Sequence, residues 1–336
     1  MIRRRGTVQN RVIPFLLRRR KTNDRLGRIR DPTQRRQCRV NTDTSDDSRE
    51  RVARLGCWSG KVDPQPLRGG NTNTNFVVQD GSQKFVVRVG QDLPLHGILR
   101  VHEVAAARAA HAAGLAPEII HHEPGILVMR FVEGVTLTAE AVRNEDMLVR
   151  LVDAMRICHT QLAEHLHGAT PSFRVFHVCR NYLRIAREGN SRWRDQLDRM
   201  SAVNTELEKA VGKIRPVFCH NDLLPSNFID DGKKLWLVDW EYAGWNTALF
   251  DLANLASNCA LPPEFENRLM ETYFGGPPDS ETTRRYRAIK CASLLRETLW
   301  SVVQEIHSHI DFDYVAYSDE NFANFEAAYG EYRTSA

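Results

Sequence analysis

The sequence predicts an α+β protein in which a small β-rich part precedes a larger, mostly helical part. Between Trp58 and Gly134, short runs of β-branched and aromatic residues alternate with turns and one strong helical segment, whereas long helical patterns dominate the rest. The length of 336 residues fits a two-lobed enzyme or two small domains. We place the β-rich part at residues 57–133 and the helical part at residues 134–336, after a leader of residues 1–56.

The leader differs from the rest of the chain in its charge. Residues 1–56 hold 17 Lys and Arg against 6 Asp and Glu, although the net charge of the whole chain is only +4. This segment has little apolar periodicity, which predicts a disordered tail. The alternatives are an arm for nucleic acid or an anionic surface, an organelle transit peptide, or an upstream start codon chosen in error. The remainder is net acidic, so nucleic acid is not the partner that the sequence favours.

The elements of the β-rich part follow from local patterns. Residues 75–78 and 84–89 are strand-like and are separated by a Gly-containing turn, which predicts a hairpin. The Ala-rich stretch 101–113 predicts a helix that ends at Gly114. Residues 126–131 form a further strand-like run. The predicted order is strand, strand, helix, strand.

The second part is predicted to be helical, with one short hairpin. Residues 227–229 and 235–238 are strand-like on either side of an Asp-Gly turn. The helical patterns cover residues 141–167, 172–188, 191–212, 264–273 and 280–309.

Composition excludes some classes of protein. No window approaches the roughly eighteen unbroken apolar residues of a transmembrane helix, so we expect no membrane-spanning segment. The seven cysteines are spread along the chain without a C-x-x-C pair, which favours a reducing compartment. We therefore expect a cytoplasmic protein. A homodimer is compatible with the sequence, which does not set the oligomeric state.

The most informative segment runs from Val217 to Asp251. Asp222 is followed five residues later by Asn227 across a Pro-containing loop. This spacing can place a carboxylate beside an attacking hydroxyl group and an amide oxygen on a metal ion, as in the catalytic loop of a kinase. After a tight turn, an apolar strand ends at Asp239, whose carboxylate is a suitable second ligand for Mg²⁺.

These motifs resemble the choline/ethanolamine kinase family, within the wider group that includes the aminoglycoside phosphotransferases. The matching segments are residues 220–227, 239–244, 250–254, 299–304 and 312–314. The resemblance covers about residues 57–332. It implies a two-lobed protein-kinase-like fold, ATP and Mg²⁺ as cofactors, and phosphorylation of a small amino alcohol, choline or ethanolamine.

The resemblance also implies roles for residues of the catalytic segment. Asp222 would orient or deprotonate the acceptor hydroxyl group, and Asn227 and Asp239 would bind magnesium. His220 would brace the loop rather than take part in the chemistry.

In the β-rich part, a Gly-rich and hydroxyl-rich stretch precedes the second strand of the hairpin. Alone it would be an ordinary turn, but it resembles the nucleotide-binding loop of the family. Arg88 stands where the family has its phosphate-binding cation, and Glu103 resembles the acid that pairs with this cation. Residues 129–134 resemble the hinge that receives adenine. The implied nucleotide contacts are Gly69, Gly70, Thr72, Asn73, Arg88, Glu103, Met129 and Phe131.

Aromatic faces and carboxylates attract ammonium groups. Tyr242 and Trp300 match family positions that contact the amino-alcohol headgroup, and Glu297 lies nearly one helical turn before Trp300. Two departures separate this chain from the eukaryotic choline kinases, which carry a carboxylate at the position of Asn258 and a tryptophan at that of Glu297. The resemblance is therefore closer to bacterial members and leaves ethanolamine or a larger amine-bearing alcohol open.

Other functions remain open at the level of sequence. One is a related small-molecule kinase that acts on an aminoglycoside, thiamine or a sugar. Another is a catalytically silent kinase-like binding protein, against which the presence of Asp222, Asn227 and Asp239 argues.

Overall fold

The computed structural model describes residues 45–67, 73–308, 310 and 312–335. Its helices are α1 Ser45–Ala53, α2 Arg100–Ala112, α3 Ala139–Val142, α4 Glu145–Gln161, α5 Val175–Glu188, α6 Arg194–Val211, α7 Ala248–Asn258, α8 Pro263–Phe274, α9 Ser280–His307 and α10 Tyr314–Ser335. Its strands are β1 Gln65–Leu67, β2 Thr74–Asp80, β3 Gln83–Val89, β4 Ile119–Glu123, β5 Ile126–Arg130, β6 Val135–Thr136, β7 Val217–Cys219, β8 Phe228–Asp230, β9 Leu235–Leu237 and β10 Gly244–Asn246. The α+β class and the division into a small sheet lobe and a larger helical lobe are confirmed.

The sheet lobe is built on an antiparallel sheet with the strand order β1-β2-β3-β5-β4. Gly81 makes the tight turn between β2 and β3, where the backbone has a φ of +59° that favours glycine. Apolar side chains on one face of the sheet, including Phe76, Val78 and Val87, form a small core of their own. Helix α2 instead buries its alanines in the core of the helical lobe, so it links the two lobes.

The boundary expected after residue 56 is wrong, because the sheet lobe already includes α1. Val52 is fully buried and Leu55 is nearly so, and both belong to the core of the sheet lobe. Arg51 Nη2 donates to Glu123 Oε1 over 3.1 Å, which ties the helix to β4. The sequence of α1 is highly charged, but burial of Val52 and Leu55 is enough to anchor the helix to the sheet lobe. The expectation of a disordered tail for residues 1–44 lies outside the described residues.

The helical lobe is organised around α9, which packs against α5, α6, α7 and α10. Two small sheets complete this lobe. Strand β7 pairs with β10, and β8 lies between β6 and β9. The loop between β7 and β8 carries Asp222 and Asn227, and the chain leaves β9 just before Asp239. The fold therefore brings the predicted catalytic segments to one region, below the sheet lobe.

Within the part of the chain that the structure describes, no helix combines the length and the apolar character needed to cross a bilayer.

Candidate active site

Asp251 of α7 holds the start of the loop after β7 by hydrogen bonds to its backbone. Asp251 is fully buried and accepts hydrogen bonds from the backbone N–H groups of His220 (2.9 Å) and Asn221 (2.8 Å). His159 Nε2 lies 3.0 Å from the same carboxylate. Burial would raise the pKa of Asp251, but these partners outweigh it and lower the pKa. An ionised carboxylate thus fixes the start of the loop, where Asn221 has a φ of +66°.

His220 braces the loop against the end of β9. Its Nε2 donates to Val238 O over 3.0 Å, and its Nδ1 accepts from the backbone N–H of Asp222 at 3.3 Å. Burial lowers the pKa of His220, which agrees with a neutral ring that has one donor and one acceptor nitrogen. This geometry supports the bracing role that the resemblance implies.

Asp222 lies in a nearly closed environment, with 17% of its side chain exposed. Burial is the main reason that its pKa is raised to about 8, and the Arg296 guanidinium, with Nη1 3.7 Å from Asp222 Oδ1, opposes that rise. Glu297 and Asp239 add to it. A carboxyl group with a pKa near neutrality suits a general base, since it can take up a proton under working conditions.

Asn227 and Asp239 lie next to this group. Asn227 Nδ2 donates to Asp222 O over 2.9 Å, and Asn227 O accepts from the backbone N–H of Val238 over 2.9 Å. The side-chain amide is therefore oriented by its nitrogen, which leaves its oxygen suited to act as a ligand. Asp239 has a φ of +69°, a left-handed backbone that is uncommon for a residue other than glycine and that occurs often at functional sites.

A network of charged side chains connects Asp239 to the sheet lobe. Arg88 Nη1 donates to Glu103 Oε1 (2.5 Å) and to Asp239 Oδ1 (2.7 Å). Arg88 and Glu103 are buried, and the two carboxylates outweigh burial and raise the pKa of Arg88. Arg88 outweighs burial in turn and lowers the pKa of Asp239. The predicted pairing of Arg88 with Glu103 is thus present in the structure.

A second arginine, which the sequence did not indicate, extends this network. Arg100 Nη1 donates to Glu103 Oε2 (2.7 Å) and to Glu241 Oε2 (2.9 Å), and its Nη2 donates to Asn73 Oδ1 (2.7 Å). Asn73 Nδ2 also donates to Glu241 Oε2 over 3.2 Å. Asn73 therefore lies at the junction of the two lobes. The other predicted loop residues, Gly69, Gly70 and Thr72, lie outside the described residues.

The two predicted adenine contacts lie where the chain leaves the sheet lobe. Met129 is half-buried in β5, in register with Val86 of β3. The backbone N–H of Phe131 donates to Lys84 O over 3.0 Å, and Lys84 Nζ lies 5.3 Å from the centre of the Phe131 ring. The roles of Met129 and Phe131 in adenine binding stay predictions.

Of the three predicted acceptor contacts, Glu297 and Tyr242 lie near Asp222. Trp300 packs against His96, with the ring centroids 5.9 Å apart. Tyr242 and Trp300 are buried, and neither the Tyr242 hydroxyl nor Trp300 Nε1 has a hydrogen-bond partner among the residues that the structure describes. Glu297 Oε2 accepts from Arg296 (2.7 Å), and Glu297 Oε1 accepts from the Tyr317 hydroxyl (3.0 Å). The Glu297 carboxylate is therefore already paired with Arg296 and Tyr317 of the chain itself. Tyr242 also lines a cavity of about 200 Å³.

Arg296 was not predicted as a site residue. Its side chain is 2% exposed and its guanidinium carbon lies 4.7 Å from the centre of the Tyr242 ring. An adjacent Arg and Glu in a helix usually form part of a solvated surface. The signal that could have found Arg296 is its position inside an otherwise mostly apolar stretch of α9, from Cys291 to Val303, where a charge needs a buried partner.

The sequence is similar to those of several known proteins and to one family model. A family model described as "Phosphotransferase enzyme family" matches residues 63–289. The chain is 28% identical over 263 residues to Protein LicA of Haemophilus influenzae, and this alignment covers 73% of this chain and 75% of that protein. It is 27% identical over 276 residues to ethanolamine kinase 2 of Homo sapiens, and this alignment covers 74% of this chain and 71% of that protein.

A solved structure shows the same architecture. The chain is 29% identical to a choline/ethanolamine kinase family protein from Mesorhizobium loti, with a TM-score of 0.67 over 84% of this chain and 94% of that one. The expected two-lobed protein-kinase-like fold is confirmed.

Proposed function

Because the chain belongs to the phosphotransferase enzyme family, we propose that it is an ATP-dependent kinase that phosphorylates the hydroxyl group of a small amino alcohol, choline or ethanolamine. The names of the relatives favour this class of acceptor, since they include an ethanolamine kinase and a choline/ethanolamine kinase family protein.

One observation carries the proposal. Asn227 joins the loop of Asp222 to the end of β9, because its Nδ2 donates to Asp222 O and its backbone O accepts from Val238 N–H, next to Asp239. Asp239 accepts from the same Arg88 that Glu103 holds. A base, two oxygen ligands and a cation for phosphate groups are the parts that phosphoryl transfer requires. A binding protein without activity would have no need for this combination.

Asp222 is the proposed general base. Its carboxylate would orient the acceptor hydroxyl group and take up the proton at Oδ1 or Oδ2 as the oxygen attacks the γ-phosphorus, while the bond from the γ-phosphorus to the bridging oxygen breaks and ADP leaves with its electron pair. With a pKa of about 8, the ionised carboxyl group is basic enough to accept this proton, and most of the enzyme is in the protonated form at pH 7. Arg88, fixed by Glu103, would supply positive charge to the nucleotide phosphates.

The residues present fit Mg²⁺. Asn227 offers an amide oxygen, and Asp239 offers a carboxylate whose lowered pKa keeps it ionised. Hard cations prefer oxygen ligands, and Mg²⁺ is commonly held by one or two protein groups together with nucleotide phosphates. Bound there, the ion would neutralise charge on the transferred phosphoryl group.

The test is a screen for ADP release by the purified chain with ATP and magnesium. The acceptors are ethanolamine, choline, an aminoglycoside, thiamine and simple sugars, and the phosphorylated product is identified by mass. We expect acceptor-dependent ADP release with an amino alcohol and its loss in Asp222→Asn. Release that depends only on an aminoglycoside, thiamine or a sugar would assign the chain to another branch, and equal turnover by Asp222→Asn would remove Asp222 from the mechanism.

A further inference from the structure

We infer that Arg296 determines which acceptor the enzyme takes, because it covers the aromatic face on which a quaternary ammonium group would lie and so favours ethanolamine over choline. This inference rests on the proposed function and narrows its substrate.

The aromatic face is a corner of two rings. Phe173 and Tyr242 meet edge to face, with their centroids 6.2 Å apart and their planes at 89°. The guanidinium carbon of Arg296 lies 4.7 Å from the Tyr242 centroid and 5.8 Å from the Phe173 centroid. Both distances are within the roughly 6 Å at which a cation is attracted to a ring. The protein therefore supplies its own cation to these rings.

Arg296 is held firmly in this position. Its side chain is almost fully buried, and its Nη1 lies 2.7 Å from Glu297 Oε2 and 3.7 Å from Asp222 Oδ1. Glu297 is itself fixed by the Tyr317 hydroxyl. An arginine does not lose its charge in a protein, so this face carries a permanent positive charge.

The two amino alcohols differ in what they need from such a site. A trimethylammonium group has no N–H to donate, so it depends on aromatic faces and diffuse negative charge. Here the face of Tyr242 is covered, and Glu297 is neutralised by Arg296. A primary ammonium group can instead donate hydrogen bonds, and the buried Tyr242 hydroxyl has no partner among the described residues.

The first measurement uses the wild-type enzyme. We expect kcat/KM to be at least about tenfold higher for ethanolamine than for choline, since specificity is the ratio of these constants. Tetramethylammonium chloride serves as a probe of the headgroup site without a reacting hydroxyl group, with sodium chloride at equal ionic strength as the control. We expect no saturable binding of this probe in calorimetry.

The second measurement uses Arg296→Met, which removes the guanidinium but keeps an apolar side chain of similar length. This variant should gain saturable binding of tetramethylammonium, and its preference for ethanolamine should fall by about tenfold. Arg296→Lys retains a cation and should not gain the binding. Arg192→Met is the matched control. The guanidinium carbon of Arg192 also lies over an aromatic ring, 4.4 Å from the centre of Trp193, but away from Tyr242 and Asp222. This variant should behave as wild type.

The inference is overturned if wild type binds tetramethylammonium saturably, if it prefers choline, or if a cooperatively folded Arg296→Met gains no binding. Binding of the probe is read without turnover. Absence of turnover with either amino alcohol would therefore refute the proposed function, while the calorimetry would still decide the role of Arg296. Should Arg296→Met fail to fold, the wild-type binding measurement decides alone.

Discussion

Replacing Asp222 with asparagine should make the protein more stable at alkaline pH while it abolishes turnover. The pKa of Asp222 is raised from 3.8 to about 8, mainly by burial. Between these values the unfolded chain has lost the proton and the folded chain still holds it, so the free energy of unfolding falls as pH rises. Asparagine does not ionise, so the variant should not show this fall in the free energy of unfolding.

The size of the effect follows from the shift. Each pKa unit corresponds to about 1.4 kcal/mol, so a rise of roughly four units gives on the order of 5 kcal/mol above pH 8 as an upper bound. Relaxation of the ionised site lowers this value, and we expect about half. At about 2 °C for each kcal/mol in a chain of this size, the melting temperature of Asp222→Asn should exceed that of wild type by about 5 °C at pH 8.5. The difference should vanish below pH 4.

The assay is thermal unfolding by circular dichroism from pH 4 to pH 8.5, with ADP release measured in parallel. Asp230→Asn is a control of opposite sign. Arg150 donates two hydrogen bonds to Asp230 and is the main reason that its pKa is lowered, so this carboxylate stabilises the fold above its unfolded pKa. The control variant should be less stable than wild type at pH 8.5, and its deficit should shrink in acid.

Melting of Asp222→Asn at or below the wild-type temperature at pH 8.5 would contradict a raised pKa of Asp222. A gain in melting temperature that stayed constant from pH 4 to pH 8.5 would contradict it as well, because such a gain would come from packing rather than from ionisation.

Further outcomes test the rest of the site. The kcat/KM of the wild-type enzyme should rise about tenfold per pH unit up to about pH 8 as Asp222 ionises, and a flat profile would exclude it as the base. Asp239→Asn should weaken magnesium-dependent ATP binding by at least about tenfold in calorimetry, and unchanged binding would argue against its role as a ligand. Arg88→Met should lower kcat/KM about 10²-fold or more, with partial recovery in Arg88→Lys; full activity would exclude a role in phosphate binding. Trp300→Ala should raise the KM for the acceptor far more than the KM for ATP, whereas equal changes would indicate a loss of fold.

Much of the fold could be predicted from local patterns. The hairpin of β2 and β3 and the helices α2, α5, α6, α8 and α9 lie close to their predicted positions. Helix α7 was not predicted; it is buried on nearly all sides, from Leu249 to Ala256. Helix α10 was also missed, although four of its buried residues have helical spacing: Phe325, Ala328, Tyr329 and Tyr332.

The site was predictable where one short segment holds its residues. Asp222, Asn227 and Asp239 come from one loop and the strand pair after it, so their spacing reveals their proximity. The partners that come from distant helices were not predictable in this way. Arg100 meets Glu241 across 141 positions, and Arg296 meets Asp222 across 74, so only the packing of the lobes brings these charges together.

Helix α9 passes through the middle of the helical lobe and also carries Arg296, Glu297 and Trp300. The wall that we propose meets the acceptor is therefore part of the main structural support of the lobe. A substitution that reshapes this wall also disturbs the packing of four other helices, so acceptor preference and thermal stability should change together. Variants selected for a new acceptor will need compensating changes on α5, α6, α7 or α10, far from the molecule they bind.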